Sequence, residues 1–253
     1  MLNFQSFGEA REKPSLLIAH GLFGSARNWR AIARNLASDR RVHVVDMRNH
    51  GESCWDDSQT YPDMAVDLAQ VIEHIDEEMD VLGHSMGGKA GMVLALSRPE
   101  LVNRLVVIDI APKAYHHDQT SNVALMQSLD LNSFSRRSEA DEKLAQTVND
   151  AALRAFFLQS MVISDQGNRW QLNLQALHDN MDHIVGFPLL SGQFEKPSLF
   201  LRGSQSDYIS DADMQKITAL FPRASLRTIA DAGHWVQAEA TREFLTEVKT
   251  FLG

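Results

Sequence analysis

Val81-Leu82-Gly83-His84-Ser85-Met86-Gly87-Gly88 is an apolar run that passes directly into Gly-x-Ser-x-Gly, and Lys89-Ala90-Gly91-Met92-Val93-Leu94-Ala95-Leu96 follows as the sequence of a buried helix. Together they predict a strand, a tight elbow carrying Ser85, and a helix. Such an elbow holds its serine in strained backbone angles, and Gly83 and Gly87 leave room where strand and helix approach closely. Ser85 is thereby held at the carboxyl edge of a sheet. The amide of Met86 falls at the helix start, where unpaired N–H groups and the helix dipole favour negative charge. The same residues match the first seven positions of the phosphate-binding Gly-x-x-x-x-Gly-Lys loop. That reading fails at Ala90, which stands where the loop needs a hydroxyl for magnesium.

Outward from the elbow, short apolar runs alternate with amphipathic segments, the mark of an α/β chain with a mostly parallel central sheet flanked by helices. The runs predict strands at Ser15–His20, Arg41–Asp46, Asp80–His84, Arg104–Ile110, Ser198–Arg202 and Ser225–Ile229. Met64, Leu68, Val71, Ile72 and Ile75 form one apolar stripe and predict a helix over Tyr61–Asp76. Further helices are expected around Asp211–Phe221 and Thr241–Leu252. From about Lys113 to Phe194 the alternation stops, and the segment reads as several short helices without a strand. The expected organisation is therefore a core of residues 1–112 and 195–253 with a helical cap, 113–194, inserted after the strand ending near Asp109. At a strand's carboxyl end such an insertion covers the face where open parallel sheets bind ligands. Helices padding the sheet edge are the plainer alternative.

A serine hydroxyl needs a base to act as a nucleophile, and an oxyanion needs two donors. His20-Gly21-Leu22-Phe23-Gly24 ends one strand and opens a loop, where the Leu22 N–H is placed to join that of Met86. His234, in Asp231-Ala232-Gly233-His234-Trp235 after the last expected strand, is the base candidate, whereas His43 lies inside a strand and His74 on a helix face. His84, inside the elbow, is expected to pack beside the nucleophile. Two carboxylates could orient the base. Asp109 ends the run Leu105-Val106-Val107-Ile108, where a buried charge is costly unless paired. Asp207 lies in Gly203-Ser204-Gln205-Ser206-Asp207, one residue out of the usual register, with Ser206 at the expected place. The first is preferred, with Asp207 as the alternative acid.

The chain of 253 residues carries net charge −9, from 24 basic and 33 acidic side chains, and has no basic stripe. A nucleic-acid partner is therefore not expected. No apolar run approaches the ~18 residues of a membrane span. The start lacks a basic segment followed by an apolar one, which with the lone Cys54 makes a cytoplasmic setting the expectation. Ten histidines raise the question of metal, but no His-Glu-x-x-His occurs and His116-His117 are adjacent, so on a helix they would not share a face. No metal and no cofactor are expected.

With these residues in hand, the chain resembles the α/β-hydrolase superfamily and, more closely, the bacterial YbfF-like esterases. The resemblance rests on His20-Gly21-Leu22-Phe23-Gly24-Ser25, Asp46-Met47-Arg48-Asn49-His50-Gly51-Glu52-Ser53, Gly83 to Lys89, Ile108-Asp109-Ile110-Ala111-Pro112, His183-Ile184-Val185-Gly186 and Gly233-His234-Trp235. It implies an α/β-hydrolase fold and esterase or thioesterase activity on small acyl substrates, acyl-CoA among them. It also implies that the acid comes from the Asp-Ile-Ala-Pro position, here Asp109. Two departures are Asp207 and Thr241, where relatives tend to carry proline. Substrate choice is expected to fall to cap residues such as Phe134, Phe157, Met161 and Trp170. Arg136, Arg137 and Arg154 would suit a phosphate-bearing substrate, though a charge cluster is usually a solvated face. The competing functions are carbon–carbon bond hydrolysis by the same serine and histidine, and a non-hydrolytic binding protein on the same fold.

Overall fold

The computed structural model describes residues 1–116 and 119–253, so His117 of the adjacent histidine pair lies outside the described residues. Strand β1 (Phe4–Phe7) opens the chain, followed by β2 (Leu16–Ala19), helix α1 (Ala26–Leu36), β3 (Val42–Val45), α2 (Tyr61–Ile75), β4 (Met79–His84), α3 (Met86–Ser97) and β5 (Val102–Ile108). These strands and two later ones form a seven-stranded sheet in the order β1-β3-β2-β4-β5-β8-β9, with β8 at Ser198–Gly203 and β9 at Ala224–Ile229. Only β1 runs antiparallel.

Burial on both faces explains the strand sequences. Leu16, Leu17, Ile18 and Ala19 are all buried, as are all six residues of β4, because helices cover the sheet on both sides. On one side, Met64, Leu68, Val71 and Ile72 of α2 join Met92 of α3 in the larger core. On the other, Trp29, Ile32 and Leu36 of α1 meet Phe244, Val248 and Leu252, which belong to the last helix, α11 (Thr241–Leu252). The stripe expected over Tyr61–Asp76 is α2. The Thr60 side chain caps its N-terminus, and Asp76 ends it in the left-handed conformation at φ +61°.

Between β5 and β8 stand α4 (Thr120–Gln127), α5 (Arg137–Leu144), α6 (Ala151–Leu158), α7 (Leu174–Asp179) and α8 (Met181–Val185). A hairpin of β6 (Met161–Val162) and β7 (Arg169–Trp170) interrupts them, where only helices were expected. With two residues per strand, the hairpin is too short to show an alternating pattern. The strand expected at Arg104–Ile110 begins and ends earlier, which leaves Asp109 just past its end. The helix expected over Asp211–Phe221 is a short 3-10 turn, Asp211–Asp213, followed by α9 (Met214–Leu220). A four-residue helix, α10 (Val236–Glu239), precedes α11.

The register Ala19↔Gly83, Gly83↔Val107 and Val107↔Phe200 brings the carboxyl ends of the central strands to one edge. At that edge α3 turns back so closely that a Cβ on Gly83 would lie 2.2 Å from the Gly87 carbonyl oxygen. Because the obstacle is backbone, no rotamer relieves it. Gly83→Ala is expected to lower stability by about 3 kcal/mol, measured as a fall in the urea midpoint at unchanged slope.

Candidate active site

Ser85 sits at the junction of β4 and α3 with φ +51°, a left-handed conformation rare for a residue with a side chain. Its amide donates to the Ile108 carbonyl at 3.0 Å, which ties the elbow to β5. Met86 begins α3, and its N–H points out of the helix start without an intrahelical acceptor. The loop after β2 faces it across the cavity. Among the described residues, neither the Leu22 nor the Met86 amide makes a hydrogen bond. Both residues line the cavity that holds Ser85.

Asp109 follows β5, fully buried, with φ +51° and its amide donating to the Leu201 carbonyl at 2.7 Å. Its Oδ2 lies 2.7 Å from His234 Nδ1 and accepts the Ser206 hydroxyl at 2.5 Å, while Oδ1 accepts the Gly203 amide at 3.2 Å. A carboxylate taken out of water needs such donors. With Nδ1 facing the Asp109 carboxylate, Nε2 is the ring nitrogen left for the cavity, the arrangement a general base requires. Two rings pack against the His234 imidazole. Tyr208 stacks on it with centroids 3.9 Å apart, and His84 lies against it at 4.8 Å. His84 Nε2–H donates to the His234 carbonyl at 2.9 Å, and burial, reinforced by His234, lowers the His84 pKa to about 3. Ser85 and His234 share the cavity wall without a closed hydrogen bond, as is common before a substrate arrives.

The cavity measures about 300 Å³ and is walled by the sheet edge below and the insertion above. Phe23, Trp29, Leu153, Phe156, Phe157 and Trp235 give it an apolar lining, and Asn28, Gln119, Asn122 and Gln237 add polar groups. Lys89 also lines it, one turn along α3 from Ser85 and 1% exposed. Its ammonium donates to the carbonyls of Ile184, Val185 and Gly186 at 3.5, 2.9 and 2.5 Å, at the end of α8. Burial, with the Lys113 charge adding to it, pulls its pKa down to about 7, and the three carbonyls oppose that pull by solvating the charged form.

The structure brings Ser85, His234, Asp109, Leu22 and Met86 to one place and leaves Asp207 out of it. Asp207 is exposed and makes no hydrogen bond among the described residues. Of the four expected pocket residues, Phe157 lines the cavity. Met161 and Trp170 are instead buried in the core, with the Trp170 indole N–H donating to the Met126 carbonyl at 3.1 Å, and Phe134 packs half-buried against the same cluster. Large apolar side chains fill an insertion's own interior as readily as a pocket. Arg136 and Arg154 pair with Glu139 and Asp141, and Arg137 donates to the Leu158 and Met161 carbonyls. Ser206 and Lys89 are site residues that the sequence reading passed over. No three histidine, cysteine, aspartate or glutamate side chains are grouped to hold a metal ion among the described residues, and no described helix is long and apolar enough to cross a membrane.

A family model described as alpha/beta hydrolase fold matches residues 14–241. The chain is 38% identical to an sn-1-specific diacylglycerol lipase, ABHD11, of Xenopus tropicalis, over 99% of the chain and 82% of that relative. It is 36% identical to esterase YbfF of Escherichia coli K12, over 94% of the chain and 92% of that protein. A solved marine microorganism esterase superposes with a TM-score of 0.95 at 34% identity, covering 99% of this chain and 98% of the other. The geometry ranks the two carboxylates. Asp109→Asn is expected to lower kcat by about 10⁴-fold and Asp207→Asn by less than about twofold, measured on one ester substrate; the reverse order would move the acid to Asp207.

Proposed function

Since the chain belongs to the α/β-hydrolase family and is a carboxylic ester hydrolase similar to YbfF, we propose that it cleaves acyl esters through a Ser85-His234-Asp109 triad. The observation that carries this reading is the buried Asp109 carboxylate 2.7 Å from Nδ1 of His234, which lines the same cavity as Ser85. Ser85 Oγ attacks the acyl carbonyl carbon while His234 Nε2 takes its proton. The carbonyl electron pair moves onto oxygen, which the Leu22 and Met86 amides receive. As the tetrahedral intermediate collapses, the bond to the alcohol oxygen breaks and His234 returns the proton to that leaving group. Water then attacks the acyl carbonyl carbon, giving up a proton to His234, and as this second intermediate collapses the bond to Ser85 Oγ breaks, His234 returns the proton to Ser85 and the carboxylic acid is released. Asp109 keeps the imidazole oriented and stabilises the imidazolium at each stage. Ser206 in turn fixes one oxygen of Asp109.

Residues 113–194 act in this reading as a cap. The insertion supplies Leu153, Phe156 and Phe157 to the wall above Ser85. An apolar cavity of about 300 Å³ stands at the lower end of the range for small-molecule sites, so it suits short and medium acyl chains. Thioesters are open to the same chemistry. The cap arginines that would suit a phosphate-bearing leaving group are engaged within the chain, which favours plain esters over acyl-CoA.

A p-nitrophenyl ester series from acetyl to palmitoyl, run on wild type and Ser85→Ala, tests the reading. Hydrolysis is expected to peak at about four to eight carbons and to fall by several orders of magnitude in Ser85→Ala. Serine-independent hydrolysis would overturn the triad, and inactivity on every ester would shift weight to carbon–carbon hydrolysis or to binding alone.

A further inference from the structure

We propose that His50 is a positioning residue for the oxyanion hole: its imidazole holds the Phe23 amide, and with it the turn that presents the Leu22 N–H, while its backbone is bridged to the insertion. The proposal rests on the serine-hydrolase reading of the site. His50 is fully buried, in the Arg48-Asn49-His50-Gly51 segment that the triad chemistry leaves without a role. Its Nε2 accepts the Phe23 N–H at 3.2 Å, and its Nδ1–H donates to the Arg48 carbonyl at 2.7 Å. Both ring nitrogens are therefore engaged, and the ring is the neutral tautomer. Burial, with His20 adding to it, lowers the pKa to about 3, so the acceptor nitrogen stays free of a proton at ordinary pH.

The residue it holds needs holding. Phe23 has φ +63°, a conformation that a residue with a side chain keeps only when its surroundings impose it. Around it the loop is tied to residues 46–50 at further points. His20 Nε2 accepts the Met47 N–H at 3.0 Å, and the Asp46 carboxylate accepts the Ala26 N–H at 2.7 Å. On its other side this segment meets the insertion. The Gly51 N–H donates to the Gln171 carbonyl at 2.8 Å, the Asn173 N–H donates to the Asn49 carbonyl at 3.0 Å, and His50 bridges Leu172. The Phe23 ring rests edge-on against Phe157 at 5.4 Å. A histidine suits the position because it accepts from one loop and donates into its own without a net charge. Lysine and arginine have no acceptor, and a carboxylate would set a negative charge beside the forming oxyanion.

Three substitutions in the full chain test this. His50→Ala removes both bonds, His50→Asn keeps a donor near Nδ1 without the acceptor, and His50→Gln places an amide oxygen near Nε2. The alanine and asparagine variants are expected to lower kcat on p-nitrophenyl butyrate about 10- to 100-fold, with KM within about twofold. Inhibition by butylboronic acid, whose serine adduct is a tetrahedral, negatively charged boronate with one hydroxyl in the oxyanion position, should weaken by a similar factor. Glutamine should restore most of both. Hydrogen exchange at the Phe23 amide should quicken in the alanine and asparagine variants and return towards wild type in glutamine, a readout that needs no turnover. A folded His50→Ala with wild-type kcat, or unchanged Phe23 exchange, would overturn the proposal; should alanine not fold, the asparagine and glutamine pair decides it. Were Ser85→Ala as active as wild type, the serine mechanism would be what fails, and Phe23 exchange would still decide whether His50 holds the loop.

Discussion

A carboxylate shut away from water at the end of a central strand must be met by donors, and Asp109 draws them from two separate connections. Gly203 ends β8 and Ser206 lies in the turn that follows it, and His234 belongs to the loop after β9. In the sheet β8 lies between β5 and β9, so His234 reaches across the end of β8 to find its carboxylate. One buried charge therefore fixes the relative placement of three neighbouring strand ends. Loss of any donor would leave a charge in a medium that does not tolerate it unpaired. The site's geometry and the local stability of this corner rest on the same bonds.

Three buried histidines help organise the rest of the site. His20, His50 and His84 are each buried, and burial is the first cause that lowers the pKa of all three. They serve as rigid neutral connectors, each with a ring nitrogen donating to a carbonyl. In His20 and His50 the other nitrogen accepts from backbone. With these three rings neutral, the Leu22 and Met86 amides, the α3 dipole and the Lys89 ammonium are what remain to set positive potential at the cavity.

What was legible in the sequence followed from strong local constraints. A strand that ends in Gly-x-Ser-x-Gly fits few structures, and the Gly83 to Gly87 approach shows why. Asp109 could be preferred over Asp207 because a carboxylate closing an apolar strand needs a partner, whereas one in a polar loop does not. β1 was not legible: it is short, half-buried and at the sheet edge, so little patterning is required of it. Helix α1 does carry a signal, in the spacing of Ala26, Trp29, Ile32, Ala33 and Leu36. The roles of Ser206 and Lys89 were not legible, since each depends on atoms close in space and distant in sequence. The insertion's aromatic residues were only partly so, because nothing in a Phe or Trp codon says whether its neighbour will be a ligand or another helix.

The insertion meets the core along two unequal seams. At α7 and α8 the seam is polar: the Asn173 N–H on the Asn49 carbonyl, the Lys89 ammonium on the carbonyls that end α8, the Tyr61 hydroxyl on the Ile184 carbonyl and the Asn180 side-chain amide on the Asp57 carbonyl. At α6 it consists of side chains: Phe157 on Phe23, Phe156 on Trp235, and Gln159 with Asn28. Parting the first seam would strand a buried cation and several carbonyls, whereas parting the second exposes mainly aromatic faces. The insertion is thus held most firmly at α8, whose carbonyls meet the Lys89 ammonium one turn along α3 from Ser85. The α6 side is its weaker edge, closed by aromatic contact rather than by bonds to a buried charge.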